Sequence, residues 1–327
     1  MPNPQRFRNI VTKDIQVQND LNLPGDAKFT LGGVQFTAGA KGIGETFYVD
    51  PVAGNDAFDG KSAGAAKLTS QAAIDLCVDR RMDTIIRLDG SEVLTTPILF
   101  NKKGVSYIGE KSGWDTFDKG ERFVAYGPAG AAAAIISQPT HIEGVGFTTS
   151  GYVGAASHIV RIDTTGYDGW IGSYISIVGC RFMGWGYAPD YALYLKGGVA
   201  CLIAGNHFDG TFYGFTDAAI GLGTGGAPVY DTNIIGNKFT NMGAGNYAIE
   251  CMVATELQNN LIASNYLLGG AAGPAAMGAF FNHLGASPID TLIADNYIPL
   301  AVGAAYSHSV GDLQTAGYLL VNNHYSE

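Results

Sequence analysis

The chain has 327 residues, enough to bury a large core, with 46 glycines, 46% hydrophobic residues and only 15% charged ones. That balance excludes a disordered chain and a coiled coil, and glycine at about twice its usual ~7%, without a Gly-X-Y period, points to many tight turns between short strands. The formal net charge is −10 and no Lys or Arg follows Lys238, so no basic stripe exists to track a phosphate backbone; nucleic acid is excluded as a partner, and any glycan met by the C-terminal third is expected to be neutral or weakly held.

In chain order, residues 1–8 lack the apolar core of a signal peptide, so no cleaved leader is expected. The longest small-apolar run, 130–136, falls far short of the roughly 20 residues that cross a bilayer, and no membrane contact is expected. Residues 1–45 read as a separate arm. Its pairs Ile15/Val17, Leu21/Leu23, Phe29/Leu31 and Val34/Phe36, broken by turn residues, predict short strands. So few residues cannot form an independent core, and the arm is expected to bury its apolar faces against copies of itself or against another protein. Its basic start, Arg6, Arg8 and Lys13, either anchors on an acidic partner surface or is a solvated face. In style the arm resembles the N-terminal anchoring segments of bacteriophage fibres, spikes and capsid decorations.

Residues 46–112 predict a cap and the first coils of a solenoid. Asp50, Asn55, Asp56 and Asp59 miss the calcium-loop spacing of an EF-hand and are explained equally by Asx turns. Thr69 or Ser70 is placed to cap a short helix running to about Arg81, with Ala73, Leu76 and Cys77 on one face. Strands follow at 84–88, 98–100 and 104–109.

From residue 113 to 327 the chain repeats itself. The pattern apolar-x-small-Asn-x-aromatic/apolar occurs as Ile203-Ala-Gly-Asn206-His-Phe208, Ile234-Ile-Gly-Asn237-Lys-Phe239, Ile262-Ala-Ser-Asn265-Tyr-Leu267, Ile293-Ala-Asp-Asn296-Tyr-Ile298 and Leu320-Val-Asn-Asn323-His-Tyr325. Two earlier copies carry Cys180 and Val145 in place of Asn. One copy roughly every 30 residues is the period of a solenoid turn. Each copy predicts a strand, a bend and another strand, with like positions stacked at about 4.8 Å. Asn206, Asn237, Asn265, Asn296 and Asn323 are then a structural ladder, with asparagine supplying a left-handed bend and a hydrogen bond to the next coil. A further strand per turn is expected at 191–195, 218–222, 247–251 and 278–282. The four cysteines are far apart and read as buried thiols rather than a disulfide or zinc framework.

The succession Tyr48-Val-Asp-Pro, Gly54-Asn-Asp, Asp59-Gly60, the capping helix, Thr84-Ile-Ile-Arg-Leu88 and Gly104-Val-Ser-Tyr-Ile-Gly-Glu110 resembles the opening of pectate-lyase-like proteins, over residues 46–327. The resemblance implies an all-β fold, a single-stranded right-handed parallel β-helix. It also implies a bacteriophage virion protein of the decoration, spike or fibre type, the expected partners being other copies of itself in a homotrimer and a major capsid or other virion protein bound through residues 1–45. It says little about chemistry, because this fold hosts lyases, glycosidases and adhesins alike.

Glycoside hydrolysis needs two carboxylates about 5–9 Å apart. Counted from the repeat, Asp209 falls beside Met183 and Thr240, Asp295 beside Ser264 and Asn322, and Glu250 beside Leu222 and Phe281, so no acid pair is expected. Asp190, Asp217, Asp231 and Glu256 fall in expected loops. His207 two residues from Asp209 is an ordinary strand pair as readily as an acid/base pair. The cations beyond residue 150 are Arg161, Arg181, Lys196 and Lys238, without the acid cluster a calcium-dependent lyase requires. No catalytic residue, metal or cofactor is assigned. Trp170, Trp185, Tyr187, Tyr191, Tyr194, Phe212, Tyr213 and Phe215 concentrate on two or three coils and suit a subunit interface or stacking on a host surface glycan. The expectation is a virion protein, assembled in the host cytoplasm, with a glycan depolymerase or a non-enzymatic adhesin as the alternatives.

Overall fold

The structure is a computed structural model that describes residues 44–109, 134–149, 158–163, 174–184, 189–210, 215–223, 228–242, 246–252, 256–268, 279–299, 304–306 and 310–326, except 89 and 95, together with strands Lys28–Leu31, Val34–Thr37 and Phe123–Tyr126. The chain divides into two compact units, Met1–Gly42 and Ile43–Glu327. In the first, Lys28–Leu31 and Val34–Thr37 pair antiparallel, with Leu31 opposite Val34.

The second unit is a single-stranded parallel β-helix. Among the described residues a first sheet stacks ten strands from Thr46–Val49 to Tyr318–Val321, a second stacks nine from Glu92–Leu94 to His324–Ser326, and a third stacks eight from Ile98–Phe100 to Ala304–Tyr306. One turn runs Cys201–Ala204 in the first sheet, His207–Asp209 in the second, Ala218–Leu222 in the third, and back to Asn233–Ile235 in the first. Sequence periodicity did not reveal a fourth sheet, Gly198–Val199, Val229–Tyr230, Glu256–Gln258 and Ser287–Ile289, because two- and three-residue strands are too short to show alternation.

Alternation places one apolar residue per rung inside. In the first sheet Ile142, Ile177, Ile203, Ile234, Ile262 and Ile293 are in register and all buried. In the second, Phe147, Phe182, Phe208 and Phe239 stack with ring centroids 5.5, 4.9 and 5.1 Å apart. Each such side chain contributes about 1.5–3 kcal/mol by leaving water, and the offset stack adds roughly 0.5–1.5 kcal/mol per pair.

The corner between the first and second sheets holds the asparagine column. Asn206 Oδ1 accepts the Cys180 N–H at 2.8 Å, and Asn206 Nδ2 donates to the Ile177 carbonyl at 2.9 Å and to Asn237 Oδ1 at 3.0 Å. The same bonds join Asn237 to Asn265, Asn265 to Asn296 and Asn296 to Asn323. Asn206, Asn237, Asn265 and Asn296 are fully buried, so each amide satisfies backbone groups that water cannot reach. One expectation is corrected. The left-handed residue is not the asparagine but its predecessor: Gly205, Gly236, Ser264, Asp295 and Asn322 have φ of 62, 65, 55, 52 and 47°. The bend turns the following side chain inward, where it bonds along the column. The corner before the first sheet repeats the device: Asp231 and Asn259 are left-handed, and Asn260 Oδ1 accepts the Thr232 N–H at 2.9 Å while its Nδ2 donates to the Val229 carbonyl.

Two seven-residue helices lie near the ends. α1 (Ser70–Leu76) is capped by Thr69, whose side chain accepts the Ala72 N–H, and it stops about five residues earlier than the sequence predicts. The cause is Asp83, fully buried, which accepts the Val78 and Glu45 N–H groups and pairs with Arg81 at 2.6 Å, pulling the chain out of the helix. Ala73, Ile74 and Cys77 pack into the core. At its first residue Ser70 bonds Glu92 through both N–H and hydroxyl, and its Oγ lies 2.6 Å from the Tyr107 hydroxyl, tying the cap to the first coils. α2 (Val310–Ala316) was not foreseen, since two turns interrupted by Gly311 carry no readable period; its Leu313 is buried in the core.

Candidate functional site

The third sheet departs from strict alternation, and that departure builds a cluster of polar and aromatic side chains outside the core. Each of five strands, His158–Ile162, Tyr191–Leu195, Ala218–Leu222, Tyr247–Cys251 and Ala279–His283, sends two consecutive residues into the core, such as Ala192 with Leu193 or Phe280 with Phe281. Two columns are left outside that core. One contains His158, Tyr191, Ala218 and Tyr247; the other contains Arg161, Tyr194, Gly221, Glu250 and Asn282. Glu250 is therefore level with Gly221 and Asn282, not with Leu222 and Phe281 as counted from the sequence. The strict period of two fails because the doubled inward residue shifts the count by one.

The smallness of Ala218 and Gly221 lets a neighbouring ring cross their rung. A Cβ on Gly221 would stand 2.7 Å from the Tyr191 ring, so only glycine admits it there. Lying across this rung, Tyr191 donates its hydroxyl to Glu250 Oε2 at 2.6 Å, and Asn282 Nδ2 donates to Glu250 Oε1 at 2.7 Å. Glu250 is 5% exposed, with both oxygens engaged. Asp217 stands exposed just ahead of this rung. Partial desolvation, then the negative charges of Asp190 and Glu250, hold its carboxyl above the usual range, against a hydrogen bond from Tyr191. Burial raises the Tyr191 hydroxyl, and the bond to Glu250 adds to it, so it acts as a donor. An exposed carboxyl, Asp217, thus stands near the buried Tyr191–Glu250 pair, which the sequence reading did not foresee.

Beside this cluster the His158 ring stacks on Tyr194 at 4.1 Å, and Tyr191 and Tyr194 stack at 5.3 Å. Burial lowers the His158 pKa to about 4 and Arg161 adds to this, against the pull of Asp190, so the ring is neutral at neutral pH. Asp163 joins Arg161 at 3.5 Å and Lys196 at 3.4 Å on the adjoining rim.

The remaining sequence candidates take other roles. Trp170, Trp185, Tyr187, Phe212 and Tyr213, like Arg6, Arg8 and Lys13, lie outside the described residues. Tyr191 and Tyr194 belong to the cluster above, whereas Phe215 is core. Asp209 faces Met183 and Thr240 and pairs with Arg181 at 2.5 Å; His207 lies 2.7 Å from the Thr240 hydroxyl. Asp50, Asn55 and Asp59 accept backbone N–H groups two residues on, and Asp56 accepts those of Leu68 and Thr69. These are Asx turns and a loop clamp, with their oxygens directed at the chain itself. Glu256 opens a strand and accepts the Tyr230 hydroxyl at 2.5 Å. Cys77, Cys180, Cys201 and Cys251 are all buried free thiols; burial pushes the first three up to about 12 and raises the fourth as well. Among the described residues no group of three or more His, Cys, Asp or Glu is arranged to hold a metal ion, and no helix is long and apolar enough to cross a membrane.

No family model matches the chain, and no curated protein matches it. Solved structures resemble it, among them the following two. A rhamnogalacturonan lyase is 14% identical with a TM-score of 0.42, over 78% of this chain and 70% of the lyase. ORF18 of Geobacillus virus E2 is 12% identical with a TM-score of 0.35, over 74% of this chain; this chain spans only 54% of the viral protein. The fold assignment, a parallel β-helix, rests on the strand register described above.

Proposed function

We propose that this chain is a structural protein of a bacteriophage particle, a capsid decoration or spike that attaches through residues 1–45 and projects its β-helix outward as a homotrimer. The supporting observation is the division of labour in the chain: a small N-terminal unit with its own strand pair, followed by a solenoid whose buried polar groups along the asparagine column are committed to rung-to-rung bonding. A stack of this kind transmits load along its axis and presents long, regular side faces. The partner of residues 1–45 is a major capsid protein or another virion protein. Mass spectrometry of gradient-purified particles made by the phage that encodes the chain tests this; the chain should appear at a fixed ratio to the capsid protein. Its confinement to the soluble lysate would refute the assignment.

A second reading is favoured by one specific arrangement, the exposed Asp217 carboxyl beside the buried Tyr191–Glu250 pair. In that reading the third-sheet face binds and cleaves a neutral host surface glycan. Asp217, exposed and with its carboxyl held above the usual range, supplies the proton to the leaving oxygen, and Glu250, buried with both oxygens engaged, fixes Tyr191 beside it. Release of reducing ends from host capsular polysaccharide, lost in both Asp217→Asn and Glu250→Gln, is the expected result. Glycan retention without release would leave an adhesin, and neither would leave a purely structural face.

A further inference from the structure

On the outside of the first sheet, across its fourth and fifth strands, three side chains join in one string of hydrogen bonds. Alternation turns His141 and Glu143 of the strand Thr140–Glu143 outward, because Thr140 and Ile142 are buried, and the parallel register sets His141 beside Ser176 of the strand Ile175–Val178. His141 Nδ1 lies 2.6 Å from the Ser176 hydroxyl, and its Nε2 lies 3.1 Å from Glu143 Oε2. An ionised carboxylate only accepts, so Glu143 takes the Nε2 hydrogen and fixes the tautomer whose Nδ1 carries a lone pair; the Ser176 hydroxyl donates to it. All three side chains are partly exposed. The His207 and Thr240 contact on the second sheet lacks this opening: its hydroxyl is buried, and Asp209 on the same strand is held by Arg181.

We propose that Ser176, His141 and Glu143 form a nucleophilic site that hydrolyses simple carboxylic esters, an activity independent of particle assembly and of the third-sheet face. Nucleophile, base and orienting acid stand in the order that acyl transfer requires, and such a set is recognised by geometry and roles. Ser176 Oγ attacks the ester carbonyl carbon as its proton passes to His141 Nδ1. The bond to the alkoxy oxygen breaks, the leaving alcohol takes that proton, and the acyl group stays on Ser176. Water then gives a proton to Nδ1 and attacks the acyl carbon; the bond to Oγ breaks, the serine recovers the proton, and a carboxylic acid leaves. Glu143 exchanges no proton. It holds the ring and offsets the imidazolium charge, and is a positioning residue. The surroundings set the substrate. Leu202, 37% exposed, follows Ser176 in the same outward column, and Val178 stands two residues along the strand. A short aliphatic acyl group therefore has an apolar neighbour one rung away, about 4.8 Å. Parallel neighbours on both sides engage the N–H groups of the Ser176 strand, so water meets the developing oxyanion, at a cost of about a hundredfold to a thousandfold in rate. Activated esters and slow turnover are the expected range.

Fluorophosphonate labelling of the full-length chain, with the adduct located by peptide mass spectrometry, and hydrolysis of p-nitrophenyl acetate together test the site. The wild-type chain should carry a phosphonyl group on Ser176 and release nitrophenol with a burst approaching one equivalent. Ser176→Ala should lose both the adduct and the burst. His141→Ala should slow acylation about a hundredfold or more, and added imidazole should restore part of the rate, a rescue that a merely structural histidine would not show. Glu143→Gln should slow acylation roughly tenfold with KM unchanged. Far-UV circular dichroism checks that each variant keeps the fold, and labelling of the wild-type chain needs no variant. The absence of an adduct at residue 176, or hydrolysis by Ser176→Ala at the wild-type rate, overturns the site and leaves the virion and glycan readings standing.

Discussion

The corner column of the β-helix is built in two ways, and the contrast between its earlier and later rungs shows what holds the coil. At Val145 and Cys180 the inward position has no amide, and the preceding left-handed residues are Gly144 and Gly179. From Asn206 onward the inward position bonds to its neighbours in the column, and the left-handed position passes from Gly205 and Gly236 to Ser264, Asp295 and Asn322. Glycine removes the steric cost of the bend, while asparagine adds bonds that can hold the bend even where a side chain must bear that cost. The later rungs accept backbone strain because the column compensates for it.

This comparison can be broken by removing the amide. Asn237→Ala takes from Asn206 the acceptor of both its N–H and its Nδ2, and leaves the Ile203 carbonyl unpaired. Orphaning several buried groups should cost about 3–5 kcal/mol, read from the denaturant midpoint at constant slope. A smaller effect isolates the bend. A Cβ at Gly236 meets nothing within 4 Å, so Gly236→Ala should cost only the left-handed penalty, about 1–2 kcal/mol, and Ser264→Gly should recover up to about 1 kcal/mol. The comparison is sharpened by extending the column upward. Cys180→Asn places an amide one rung above Asn206, within reach of the Ile142 carbonyl that the Cys180 thiol now approaches at 3.8 Å, and should stabilise by about 1 kcal/mol. No gain would mean that the earlier rungs lack the spacing the ladder needs.

A fourth expectation concerns acid. His158 and His207 are both pushed down to about 4, chiefly by burial. A folded pKa below the unfolded value of about 6.5 means that stability is complete above that value and is lost as pH falls toward about 4. Glu92 works in the opposite sense: burial raises its pKa, so its contribution declines as pH rises through the carboxylate range. The difference between wild type and His158→Phe isolates the first effect; melting temperatures of the two should converge with acidification, and parallel curves would place His158 in a more solvated setting.

Much of the fold was legible because one motif recurs: Asn206, Asn237, Asn265, Asn296 and Asn323 mark the same corner, and the apolar residues three before and two after each mark strands of two sheets. The candidate site was less legible. Glu250 was counted against the wrong neighbours because the doubled inward pairs of the third sheet mimic a regular strand one residue out of phase. A better signal was present in the chain, since Ala192-Leu193, Ala219-Ile220, Ala248-Ile249 and Phe280-Phe281 repeat an apolar pair at the same place in each turn. Nothing in composition announces that Gly221 is small so that Tyr191 can cross it.

Residue-resolved amide hydrogen exchange tests the stacked column most directly. The N–H groups of Cys180, Asn206, Asn237 and Asn265 sit at corners, yet each is donated to the asparagine oxygen of the following rung. They should exchange as slowly as the strand interiors, through global unfolding alone, and Asn237→Ala should release Asn206 first. Exchange of these four amides at the rate of open turns would contradict the stacked column.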